Sequence, residues 1–166
     1  MNIKQFDFHF EEYESDDQLK EEDYQILQKA RKATQQAYAP YSGFLVGAAA
    51  ILVNGETITG SNQENASFPA GICAERSLLA SAAQFFPNVA IQTIAVSYNN
   101  LKGKSNKPIS PCGFCRQVMT EYETRLSISM RLILSGLKGE VYIIPSVSIL
   151  LPLAFHLDPF DQEMNT

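Results

Sequence analysis

The chain has 166 residues, 45% hydrophobic and 19% charged, so a single globular domain is expected and full-length disorder is excluded. Thirteen Lys+Arg against eighteen Asp+Glu give a net charge of −5, which is unsuited to gripping a nucleic-acid backbone. The longest apolar run, Phe44 to Val53, has 10 residues, too short to span a bilayer. The first residues carry no basic stretch followed by an apolar one, so no export is expected and a cytoplasmic location is.

Phe6, Phe8 and Phe10 alternate with Asp7, His9 and Glu11, a period-2 pattern that predicts an edge strand in an appendage of residues 1–20. The main domain is expected over 21–160, with a tail at 161–166. Tyr24, Leu27, Ala30, Thr34, Ala37 and Tyr38 recur at helical spacing, predicting an amphipathic helix over Asp23 to Tyr38, stopped by Pro40. FLVGAAAILV, Asn54-Gly55 and ETITGSN then read as a β-hairpin. Asn62 to Ile72 is loop. Cys73 to Phe86 is a helix closed by Pro87, Ile91 to Tyr98 a strand, and Asn99 to Ser110 loop. Pro111 opens a helix, CGFCRQVMTEYE. Strands follow at Ser129 to Ser135 and Val141 to Ile144, and SVSILLPLAF reads as a short helix broken by Pro152. Helices alternating with strands predict an α/β layered domain, and the hairpin makes its sheet mixed.

The chain has three cysteines, Cys73, Cys112 and Cys115. An odd number without an export signal argues against disulfides and for a metal or reactive thiols, although a free cysteine is also a common core residue. Cys112 and Cys115 stand three apart on a first helical turn, so both sulfurs can face one ion, with Cys73 arriving from elsewhere. Both helix starts favour thiolate through their unpaired N–H groups. Three thiolates fill three corners of a zinc tetrahedron, one ion per chain, leaving the fourth for water. The set then sums to −1. Arg76, or less favourably Arg116, could withdraw charge by hydrogen-bonding a sulfur. Glu75, two residues after Cys73, can lie near the ion without ligating it. His9 and His156 have no ligand spacing.

The order Cys-x-Glu, then Pro-Cys-x-x-Cys, is the pattern of zinc deaminases, in which the Glu moves protons. YAPYSGFLVGAAA, NGETITGSNQENASFPAGICAER and SPCGFCRQ, in that order, resemble a cytidine deaminase of the small, three-cysteine, homotetrameric type, over about Tyr38 to Phe155. The resemblance implies a three-layer fold with a mixed five-stranded sheet flanked by helices. It implies hydrolytic deamination of cytidine and 2′-deoxycytidine in pyrimidine salvage, with Glu75 shuttling protons and zinc on Cys73, Cys112 and Cys115. Asn62 and Glu64 match the pair that binds the sugar 3′-hydroxyl. Phe44 matches the aromatic that stacks on the pyrimidine, and Ala74 the residue whose backbone meets the base amide edge. Ala66, Phe68 and Phe155 match positions that reach a neighbouring subunit's site; the family usually has Tyr where this chain has Phe68. Two other readings stand beside this one: a deaminase of a cytosine nucleoside antibiotic such as blasticidin S, and a non-catalytic zinc module, which would need a fourth protein ligand.

Overall fold

A computed structural model of the chain describes residues 1–157; the expected tail at 161–166 lies outside them. The sheet has six strands in the order β1-β6-β5-β4-β2-β3: β1 Glu11–Tyr13, β2 Phe44–Leu52, β3 Thr57–Ser61, β4 Ile91–Asn100, β5 Arg131–Ser135 and β6 Val141–Ile144. Among the strand pairs of the described residues only β4–β5 is parallel, and α3 (Gly113–Leu126) makes its crossover. The other α-helices among the described residues are α1 (Glu21–Ala33) and α2 (Ala74–Phe85).

The layers follow from the strand alternation. In β2, Ala49 packs with Ile26, Leu27 and Ala30 of α1 on one face, while Ala48, Ala50 and Leu52 meet Leu78 of α2 and Met119 of α3 on the other. Both faces are covered, so β2 reads as a continuous apolar run. The small alanines let helices approach closely from both sides. Asp23, buried at the start of α1, accepts two hydrogen bonds of 3.0 Å from the Arg131 guanidinium and ties α1 to β5.

Three expectations are corrected. The sheet has six strands rather than five, because Glu11–Tyr13 add β1 antiparallel to β6, in the register Glu11↔Ile143, Glu12↔Tyr142, Tyr13↔Val141. The edge strand exists, but not over Phe6 to Phe10. The residue after β6 is Pro145, which has no N–H to donate, so the ladder stops before it reaches the alternating phenylalanines. Those rings stay exposed, Phe10 resting on Tyr142 at 4.8 Å between centroids. The first helix also ends early. After α1 the chain makes a 3-10 turn at Thr34–Gln36 and then extends, because Tyr38 exchanges backbone hydrogen bonds with Asn62 and Glu64.

Candidate active site

Two helix starts meet at one end of the sheet. Cys73 is the N-cap of α2 and Cys112 the N-cap of α3, both with extended backbone. Cys115 is the third residue of α3, so its sulfur stands beside that of Cys112 on the first turn. A glycine fixes where α2 begins. A Cβ on Gly60 of β3 would lie 2.6 Å from both the Ala74 carbonyl oxygen and the Leu78 nitrogen, so only glycine lets the helix start sit against the sheet there.

The Cys73 and Cys112 sulfurs are 3.8 Å apart, those of Cys112 and Cys115 3.4 Å, and all three lie within 4.8 Å of one another. A zinc ion with bonds of about 2.3 Å at tetrahedral angles separates its sulfurs by about 3.8 Å, so the trio fits one. Among the described residues no fourth His, Cys, Asp or Glu atom joins this cluster. The donor set is therefore that of an open centre rather than a closed structural one. A hydrogen bond from the Cys115 thiol, against the cost of burial, holds Cys73 at about 6. Giving that hydrogen bond, and being buried beside Glu75, pushes Cys115 far up. A divalent ion entering the trio thus displaces protons.

Glu75, the second residue of α2, is 4% exposed. Burial is the main force on it and pushes its carboxyl above the usual carboxylate range. It lines a cavity of about 350 Å³ together with Cys73, Cys112, Ala74, Asn62 and Glu64.

The Asn62 amide is largely engaged in holding the hairpin. Its Oδ1 accepts from the Val46 N–H at 2.7 Å, and its Nδ2 donates to the Phe44 carbonyl at 2.9 Å. One amide hydrogen is left for a ligand. Glu64 Oε2 accepts from the Tyr41 and Ser42 N–H groups at 2.9 and 3.3 Å. A hydrogen bond from the Ser42 hydroxyl, these backbone groups and the nearby Lys102 charge hold its carboxyl below the usual range. Phe44 is two residues before Val46, which lines the cavity, so both project from one face of β2. The Phe44 ring stacks on Tyr98 at 4.8 Å and 17°.

The structure does not gather every expected residue. Ala66 is on the exposed loop after Glu64. Phe68, 74% exposed, stands at the cavity rim with its ring edge against Tyr41. Phe155, 68% exposed, lies away from this cavity, against Gln117, Val118 and Glu121 on the outer face of α3. Arg76 lowers the Cys73 thiol by charge, but no hydrogen bond joins it to a sulfur among the described residues. Arg116 is occupied with the Pro111 and Leu150 carbonyls at 2.9 and 3.1 Å. Sequence reasoning missed Val46, Ile72, Ile109 and Ser110 as lining residues. The last two directly precede Pro111, and that adjacency to the cysteine motif was a usable signal.

An open three-cysteine centre with a buried carboxylate beside it, where two helix starts meet the sheet of a three-layer α/β domain, defines a metal-dependent hydrolytic site. The family model "Cytidine and deoxycytidylate deaminase zinc-binding region" matches residues 20–130. A cytidine deaminase of Halalkalibacterium halodurans is 37% identical over 130 residues, 78% of this chain and 91% of its own. One from Mycoplasma genitalium is 42% identical over 97 residues, 58% of this chain and 70% of its own. A crystal structure of cytidine deaminase from Burkholderia pseudomallei superposes with a TM-score of 0.69 at 39% identity, covering 80% of this chain and 98% of that one. The chain belongs to the cytidine and deoxycytidylate deaminase family of zinc-binding proteins.

Proposed function

We propose that this protein hydrolyses cytidine and 2′-deoxycytidine to uridine and 2′-deoxyuridine, releasing ammonia. The observation that carries this reading is the cavity itself: Cys73 and Cys112 of the convergent three-cysteine cluster and the buried Glu75 line it together with Asn62 and Glu64. The relatives that bear the name cytidine deaminase support it.

Cys73, Cys112 and Cys115 would hold a zinc ion, which would supply Lewis acidity that makes hydroxide available near neutral pH. Glu75 accepts a proton from the attacking water and delivers it to N3 of the cytosine as oxygen bonds to C4. It then carries the second water proton to the exocyclic amine, the C4–N bond breaks, and ammonia leaves as the C4 carbonyl forms. Burial suits Glu75 to this work, since it raises the carboxyl above the usual carboxylate range and makes it a better proton acceptor than an exposed carboxylate. Phe44, backed by Tyr98, offers its free face to the pyrimidine ring. The Ala74 N–H, at the first turn of α2 where no intrahelical partner exists, meets the base amide edge. Asn62 and Glu64 take the sugar 3′-hydroxyl; an ordinary ribose fits them, and turnover of blasticidin S against cytidine tests that choice.

The working unit in this reading is a homotetramer. Exposed Ala66, Phe68 and Phe155 support it, because Phe155 lies outside the Glu75 cavity of its own chain. The cytoplasm, which keeps thiols reduced, suits a site of three free cysteines, and pyrimidine salvage is the expected role. Residues 21–160 are the catalytic domain and 1–20 an appendage. The test is the absorbance change of cytidine on incubation with purified protein, with ammonia and zinc measured on the same sample. Zinc-replete protein that leaves cytidine and deoxycytidine intact would overturn the reading.

A further inference from the structure

We propose that Lys102, in the loop after β4, is a positioning residue for Glu64: it clamps the Tyr41–Gly43 turn whose N–H groups hold that carboxylate. The proposal rests on the reading of Glu64 as a sugar ligand.

Glu64 sits in a loop tied at its own N–H to the Tyr38 carbonyl, and its carboxylate Oε2 is held by the Tyr41 and Ser42 N–H groups. That turn is in turn held from the β4 side. The Lys102 ammonium donates to the Tyr41 carbonyl at 3.2 Å, and the Leu101 N–H donates to the Gly43 carbonyl at 3.0 Å. The Lys102 stem lies across Gly43. A Cβ there would meet its Cε at 3.2 Å and its Cδ and Cγ at 3.6 Å. Gly43 also has φ +70, the left-handed region, so glycine satisfies both the turn and the crossing. Lys102 itself is aimed by its N–H, which donates to the Asn100 side chain at 3.0 Å. One flexible side chain thus does two things: it packs the turn into the shape that binds Glu64, and it places a positive charge near the carboxylate, which favours the ionised form. An ionised, fixed acceptor is what a sugar hydroxyl needs.

A lysine on a surface loop is otherwise a solvated cation whose removal changes little, and the two accounts part in experiment. Zinc-loaded parent, Lys102→Ala, Lys102→Met and Lys102→Arg proteins are assayed with cytidine and with 3′-deoxycytidine. Lys102→Ala is expected to raise KM for cytidine roughly three- to tenfold with kcat changed less than about twofold, and Lys102→Arg to restore most of it. Lys102→Met, which keeps the stem, falls between them. KM for 3′-deoxycytidine stays at the parent value. In a Glu64→Gln background Lys102→Ala adds no further effect, because the two residues act as one unit. Hydrogen exchange at the Tyr41 and Ser42 amides is read on the same proteins and is expected to quicken several-fold in Lys102→Ala. Unchanged exchange at those amides overturns the proposal, as does an equal KM rise for 3′-deoxycytidine. A parent protein that leaves cytidine intact sinks the functional reading instead, and the exchange result still decides whether Lys102 holds the turn.

Discussion

Cys73 and Cys112 are 39 residues apart in the chain, and their sulfurs stand 3.8 Å apart at the starts of two helices. Each caps its helix, so each thiol sits at the positive end of a dipole and in reach of the other. Replacing either with serine removes a corner of the centre. Elemental analysis of Cys73→Ser or Cys112→Ser is expected to show zinc falling from about one per chain to a small fraction of that, with a lower Tm. Stripping the ion from the parent with a chelator lowers Tm likewise, and adding zinc back restores both Tm and turnover.

In the proposed mechanism, Glu75 separates chemistry from metal binding. Glu75→Gln keeps shape and volume but cannot move a proton, so turnover is expected to drop by about 10²–10⁴-fold with zinc retained. Its burial disfavours the charged form, so the amide leaves thermal stability equal or higher. Single-turnover kinetics and zinc content on one preparation check this. Full turnover in Glu75→Gln would remove the residue from the mechanism.

Asn62 and Glu64 belong to one loop yet carry different loads. Asn62→Ala leaves the Val46 N–H and the Phe44 carbonyl without their partner, so a stability loss of about 1–3 kcal/mol is expected alongside a higher KM. Glu64→Gln is expected to raise KM with little change in stability. Denaturant melts compared with kinetics distinguish the two, and equal melts for both variants would contradict the clamp assigned to Asn62.

The appendage is expected to matter for stability and solubility rather than for chemistry. Deleting residues 1–20 removes β1 and the Arg31–Asp16 ion pair and uncovers the edge of β6. A loss of about 1–3 kcal/mol and greater aggregation are expected, with kcat/KM for cytidine within about twofold of the parent. A large kcat loss in the soluble truncated protein would assign residues 1–20 a part in the site.

Much of the site was legible because its chemistry is concentrated in short motifs. Pro111-Cys112-x-x-Cys115 carries its own geometry: a helix start fixes the side of the turn on which both sulfurs stand. Cys73-Ala74-Glu75 does the same for α2. The Asn54-Gly55 hairpin was legible for a like reason, since its turn needs the left-handed backbone that Gly55 adopts at φ +85. The alternation of Phe6, Phe8 and Phe10 misplaced the edge strand, because period-2 apolarity marks residues able to form a strand and not the partner whose hydrogen bonds they need. The end of the first helix was misjudged at Tyr38 for a related reason: its backbone is claimed by Asn62 and Glu64, which are remote in sequence.

Local preferences, spacing and turn chemistry are properties of neighbouring residues, and from them the sequence alone determined the α/β order, the hairpin, both cysteine-bearing helix starts and the kind of ion they suit. Which remote groups meet is decided by packing. Only the tertiary structure set β1 against β6, let α2 close on Gly60 to bring Cys73 to Cys112, turned Phe155 away from its own cavity, and laid Lys102 over Gly43. Those outcomes depend on steric fit and on which backbone groups are left to satisfy once the sheet has formed, and neither is written in any short stretch of chain.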